Sequence, residues 1–270
     1  MSTSIKWLGT AGLELQYNEQ IVLLDPYLSR LNKWKVAFCK LHPDTNKITR
    51  YLGQLPSSPS ALIVTHTHFD HVLDIPSLLP HIQGPVVGSD SLATILEMVE
   101  AYDRVTICHG NETLALTNDI TVTMIRSRHG LVILGRVPYP GENIPASLPW
   151  RTRDYRHGLV FIPKIVMPEL TLMAVSSAHF IPETLEGHRC DVLFLCVPGW
   201  KRVAEYPEKL IEIVQPQVVI PIHFDDFTKP VQGKTPLLPK QDLEGFSAKI
   251  RKSFPKIDLK IPEIGIPLKF

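Results

Sequence analysis

Apolar and polar residues alternate over short runs along most of this chain, and few stretches carry helical spacing. Residues 5–9, 12–17 and 20–26 predict three successive strands, the first two joined around a glycine turn, which makes a meander. The unbroken apolar run 61–64 predicts a buried strand, and 73–79 a short helix interrupted by Pro76. Residues 84–88 predict another strand, after which Ser89 or Asp90 caps a helix with Leu92, Ile95, Leu96 and Val99 three and four apart, a β-α unit. Further strands are expected at 105–108, 114–116, 120–125, 159–162, 170–175, 191–197, 217–224 and 257–261, with Pro163 and Pro168 between the 159–162 and 170–175 pair. Helices are expected at 206–214 and near 241–253. Two stretches have no clean period. Residues 26–60 form a long connection of the kind that walls a cleft, and 131–157, broken by Pro138, Pro140, Pro145 and Pro149, reads as an insertion.

Composition narrows the class. With 270 residues, 44% hydrophobic and 20% charged, the chain has ample material for a core, and a single domain is expected. Basic and acidic residues nearly cancel, 28 against 27, so no global field recruits nucleic acid or an acidic membrane, and any anion selectivity has to be local. No run is long and apolar enough for a transmembrane segment, and the first residues do not read as a signal peptide, so a cytoplasmic protein is expected. Cys39, Cys108, Cys190 and Cys196 form no C-x-x-C pair and are expected to be free, buried thiols.

The chemistry gathers directly after the 61–64 run, in Thr65-His66-Thr67-His68-Phe69-Asp70-His71. Three imidazoles and a carboxylate this close together are the donors that Zn²⁺ and similar ions take. On a strand end His66 and His68 face the same way and can share one ion. A turn into a helix then puts Asp70 and His71 on another face, within reach of a second ion.

This H-x-H-x-D-H spacing resembles the defining motif of the metallo-β-lactamase superfamily. Leu8-Gly9, Asp25-Pro26-Tyr27-Leu28, Asp74-Ile75-Pro76 and Pro221-Ile222-His223 resemble more closely its branch of ascorbate-phosphate lactonase-like and N-acyl-phosphatidylethanolamine phospholipase D-like hydrolases. The resemblance implies an α/β fold, a four-layered αβ/βα sandwich. It implies His66, His68 and His129 as ligands of one ion and Asp70, His71 and His223 as ligands of another, with one or two Zn²⁺ as cofactor and Mn²⁺ or Fe²⁺ as alternatives. Asp25 falls where the family often has an acidic residue that orients a ligand; as a residue it reads equally as a turn-former ahead of Pro26. The chain departs from the commonest family pattern at Ser177, where most members have an Asp that bridges two ions.

The activity implied is hydrolysis of a phosphodiester, lactone or related ester by a metal-activated hydroxide. Asp70 would orient that hydroxide or take its proton, and His179, Tyr155 or an arginine of the insertion would stabilise the developing oxyanion. Arg126, Arg128, Arg151, Arg153 and Arg156 either frame a small anionic substrate or form a solvated basic loop. The competing expectation, motivated by Ser177, is a metal-binding sensor without hydrolysis.

Overall fold

The computed structural model describes residues 3–144, 146–239 and 241–270; Pro145, one of the prolines marking the insertion, lies outside the described residues. The chain opens with β1 (Thr3–Gly9), β2 (Gly12–Tyr17) and β3 (Gln20–Leu24), the expected antiparallel meander. After α1 (Lys33–Phe38) and α2 (Thr45–Leu52), β4 (Ala61–Ile63) runs parallel to β3. The motif helix α3 (Phe69–Val72) and α4 (Ile75–Leu78) lead to β5 (Val86–Gly88), α5 (Asp90–Glu97) and β6 (Val105–Ile107), the strands again parallel.

Side chains alternate across these strands and so serve two cores. Val22, Leu24, Ala61, Ile63 and Val87 face the core shared with the second sheet, whereas Ile21, Leu23, Leu62, Val64 and Val86 pack with Leu92, Ile95 and Leu96 of α5. Burial on both faces is why the parallel strands read as unbroken apolar runs.

The second sheet begins with an antiparallel set, β7 (Glu112–Ala115), β8 (Thr121–Ser127), β9 (Val160–Met167) and β10 (Leu170–Val175). It continues through α6 (Pro182–Leu185), β11 (Val192–Cys196), α7 (Glu208–Val214), β12 (Val218–Ile222), α8 (Leu243–Ser253) and β13 (Asp258–Leu259), with β10 to β13 parallel. β14 (Pro267–Lys269) returns to pair with β1, so each sheet has seven strands. The αβ/βα sandwich implied by the motif is present.

Several elements depart from the sequence reading for identifiable reasons. α1 buries no residue and α2 only Ile48, so neither has the apolar stripe that would have revealed it. β9 runs through Pro163: its register with β10 ends at Lys164, and Pro163, which has no N–H to donate, pairs only with Met124 of β8. β14 is too short for alternation to show. Cys108, Cys190 and Cys196 are buried free thiols, but Cys39 is exposed, since it caps the unburied α1.

Candidate metal centre

Three strand ends bring the six expected ligands together. His66 follows β4; His68 is the N-cap of α3, whose short span carries Asp70 and His71; His129 follows β8; His223 follows β12. Their donor atoms form two groups, His66/His68/His129 and Asp70/His71/His223, and within each group all donors lie within 4.8 Å of one another. Asp25, His66 and His71 meet the same distance limit. Hydrogen bonds, however, already occupy both oxygens of Asp25: Oδ1 accepts the Thr65 N–H (2.8 Å), and Oδ2 accepts the Thr65 hydroxyl (2.5 Å) and lies 2.8 Å from His71 Nδ1. Its backbone φ is +43°, a left-handed conformation that Asp tolerates, so Asp25 turns the chain and orients a histidine at once.

The hydrogen bonds also select which nitrogen of each ring stays free, because a carbonyl oxygen can only accept. His129 Nδ1 donates to Gly130 O at 2.8 Å and leaves Nε2; His68 Nε2 donates to Pro138 O at 3.0 Å and leaves Nδ1. His71, held at Nδ1 by Asp25, leaves Nε2. His66 Nε2 and His223 Nδ1 are buried without any hydrogen-bond partner. A buried polar atom left unpaired is costly, and a cation among these donors would relieve it at His66 Nε2, while the His223 nitrogen that faces Asp70, at 3.4 Å, is Nε2. The donor set therefore fits a divalent ion. His223 also sits at φ +64°, a strained conformation for this residue and of the kind that gathers at functional sites.

Burial and crowding set the protonation states. Burial, with the neighbouring imidazoles, holds His66 and His129 well below the ordinary histidine range, and burial brings His68 down to about 4 although Asp70 opposes it. These rings are neutral, the form that binds metal. Burial would raise Asp70, but His71 and His223 outweigh it and hold the carboxylate well below its usual range. Burial pulls His71 down, yet the carboxylates of Asp25 and Asp70 prevail and raise it.

Ser177 follows β10 and lines the same cavity as the six ligand residues. Its hydroxyl accepts the Gly130 N–H at 2.9 Å and so fixes the loop that carries His129. Gly130 packs tightly there: a Cβ on it would lie 3.0 Å from Ala178 O and 3.1 Å from Ala178 N.

A cavity of about 390 Å³ opens over the cluster, lined by all six ligand residues and otherwise largely by apolar groups, among them Phe69, Val132, Ile133, Tyr139 and Phe227. The 131–157 segment contributes Val132, Ile133, Pro138, Tyr139 and Thr152 to its lining. The arginines are not in it. Arg126 and Arg128 line a neighbouring cavity, Arg151 bonds Phe38 O, Arg153 lies 3.9 Å from Asp154, and Arg156 packs near Gly141. They frame nothing at the cluster because the β8 end and the insertion turn them away from it. His179 likewise lines the neighbouring cavity, with Nδ1 accepting the Phe180 N–H, and belongs to neither donor group. The residue missed by sequence reasoning is His157, whose ring stacks on His129 with centroids 5.8 Å apart and stands 5.9 Å from His68. No local pattern marks it.

Two donor groups at the strand ends of a two-sheet sandwich define a metallo-β-lactamase fold. The chain belongs to the beta-lactamase superfamily domain family, whose profile it matches over residues 21–203. It is 25% identical to a UPF0173 metal-dependent hydrolase of Cereibacter sphaeroides, with 98% of each chain covered. It is 26% identical to a UPF0173 metal-dependent hydrolase of Roseobacter denitrificans, a match that covers 46% of this chain and only 48% of that protein. Among solved structures, Igni18, a metallo hydrolase of the archaeon Ignicoccus hospitalis, superposes over 100% of this chain and 99% of its own, with a TM-score of 0.67 at 13% identity.

Proposed function

We propose that this chain is a metal-dependent hydrolase, a single domain in which His66, His68 and His129 hold one divalent ion and Asp70, His71 and His223 a second. Zinc is the first candidate and Mn²⁺ or Fe²⁺ the alternatives. The observation that carries the proposal is two donor groups, buried save for half-buried His223, on the wall of one cavity, with His66 Nε2 unpartnered. The relatives named as metal-dependent hydrolases support it.

Such ions, when bound, polarise the bond under attack and lower the pKa of water. The chain's own part is to position and to exclude. Asp70 stays ionised and lies 3.4 Å from His223 Nε2 and 3.9 Å from His71 Nε2, where it can orient the attacking water and take its proton. Phe69, Ile133, Tyr139 and Phe227 keep the cavity dry around the apolar part of a substrate. The substrate is a small molecule with a phosphodiester, lactone or related ester bond. Because no Lys or Arg among the described residues lines the cavity, an uncharged lactone or carboxyl ester fits better within that class than an anion. A cytoplasmic location is part of the same reading. The sensor alternative loses its motive, since the Ser177 hydroxyl has a structural task at Gly130.

The test is turnover of aryl esters, lactones and bis(p-nitrophenyl) phosphate by protein loaded with Zn²⁺, Mn²⁺ or Fe²⁺, beside His68→Ala. We expect turnover of at least one ester class, lost in His68→Ala with the fold intact. Equal turnover by the variant would refute the assignment.

A further inference from the structure

Residues 32–40, Asn-Lys-Trp-Lys-Val-Ala-Phe-Cys-Lys, form an arm in which every residue except Val36 is exposed. Trp34 is 66% and Phe38 63% accessible, and their rings pack on each other, centroids 5.3 Å apart. Large aromatic side chains so placed lose much of the stabilisation that burial would give them. The arm nevertheless has a defined shape. Leu41 N bonds Trp150 O at 2.7 Å, the Thr152 hydroxyl bonds Val36 O, and Arg151 bonds Phe38 O. The aromatics are thus presented by backbone anchors that do not depend on them.

What the arm faces follows from its place and charge. Val36, its one inward residue, lines the same cavity as Ile133 and Tyr139, and Ile133 and Leu134 beside that mouth are themselves 52% and 90% accessible. Between Asp25 and Asp44 there is no acidic residue, while Lys33, Lys35 and Lys40 are exposed and have no ion pair among the described residues. Exposed Arg151 adjoins them through its bridge to Lys40. Trp at an apolar–aqueous boundary flanked by lysines matches a lipid surface: the indole seats at headgroup depth and the ammonium groups reach anionic phosphates.

We propose that the 33–40 arm docks on an anionic lipid bilayer and sets the mouth of the cavity at that surface. The docking is independent of the hydrolytic reading, because its measurement is partition and not turnover. Zinc-loaded full chain would be mixed with phosphatidylcholine vesicles with and without phosphatidylglycerol, and followed by co-sedimentation and tryptophan emission. Binding is expected on the anionic vesicles, with a blue shift from Trp34, since Trp7 and Trp150 are already buried and any signal of half-buried Trp200 survives Trp34→Ala/Phe38→Ala. Lys33→Gln/Lys35→Gln/Lys40→Gln should weaken it about a hundredfold, each basic group near an anionic surface counting for roughly fivefold. Trp34→Ala/Phe38→Ala should abolish the shift and most of the binding, and because both side chains are exposed the fold should survive, as circular dichroism would check. No binding to anionic vesicles, or binding that both variants retain, overturns the proposal. So does self-association in analytical ultracentrifugation that Trp34→Ala/Phe38→Ala disperses, which would assign the patch to a second copy of the chain.

Discussion

Replacing Asp25 with Asn perturbs the proposed second ion without touching any of its ligands. Asp25 is fully buried and its two oxygens serve three partners: the Thr65 N–H and hydroxyl, and His71 Nδ1. Asn offers one oxygen and an NH₂ group that can only donate. If the oxygen keeps the Thr65 N–H, the amide nitrogen faces His71, and an N–H pointing at Nδ1 requires Nδ1 to be unprotonated. The ring proton then moves to Nε2, the nitrogen that has to meet the ion. Loss of such an outer partner costs about 10–100-fold in metal affinity, equivalent to about 1.4–2.7 kcal/mol. Some stability goes as well, about 1.5–3 kcal/mol for a hydrogen bond to a charged group. Competition with a chromogenic chelator would give the affinity, nitrogen-15 NMR of the histidines the tautomer, and circular dichroism the fold. A folded Asp25→Asn protein with zinc affinity within about twofold of the parent and His71 still protonated at Nδ1 would refute the reasoning.

Ser177→Ala leaves the buried Gly130 N–H without its acceptor, so unfolding should become easier by about 1–3 kcal/mol in chemical denaturation while zinc content is unchanged; loss of an ion would instead make Ser177 a ligand. Asp74 tests the pH behaviour of a buried carboxyl away from the ligands. Burial raises it to about 6, even though it accepts the N–H groups of Leu28 (2.6 Å) and Ser29 (2.8 Å). Because the folded state then binds this proton more tightly than the unfolded chain, its stabilising contribution is complete below about pH 4 and lost as pH rises through about 6. Urea titrations at pH 4.5 and pH 7 should show the parent losing about 2 kcal/mol more than Asp74→Asn over that interval. Equal losses in both proteins would show that the raised pKa is wrong.

Local pattern was enough for much of the scaffold and for the ligand types. Period-two alternation marked β1 to β3, and unbroken apolar runs marked β4, β11 and β12, because burial on both faces leaves no polar positions. The H-x-H-x-D-H spacing put three imidazoles and a carboxylate at one strand-to-helix turn. What α1 and β14 lacked was a buried stripe or sufficient length, so nothing in their residues announced them.

Everything that depends on distant parts of the chain was decided by the tertiary structure. His129 and His223 reach the motif only because β8 and β12 end beside β4, and which nitrogen each ring leaves free depends on Gly130, Pro138 and Asp25. Ser177, read as a missing bridge, proved to be the acceptor of the Gly130 N–H, a partner 47 positions away. Arg126, Arg128 and His179 carry a chemistry that would suit an anion, but their direction is set by how the β8 end and the 131–157 segment fold, and they line a different cavity. Residue type fixes what a side chain can bind; only the packing of remote segments fixes which side chains meet and which of their atoms remain free.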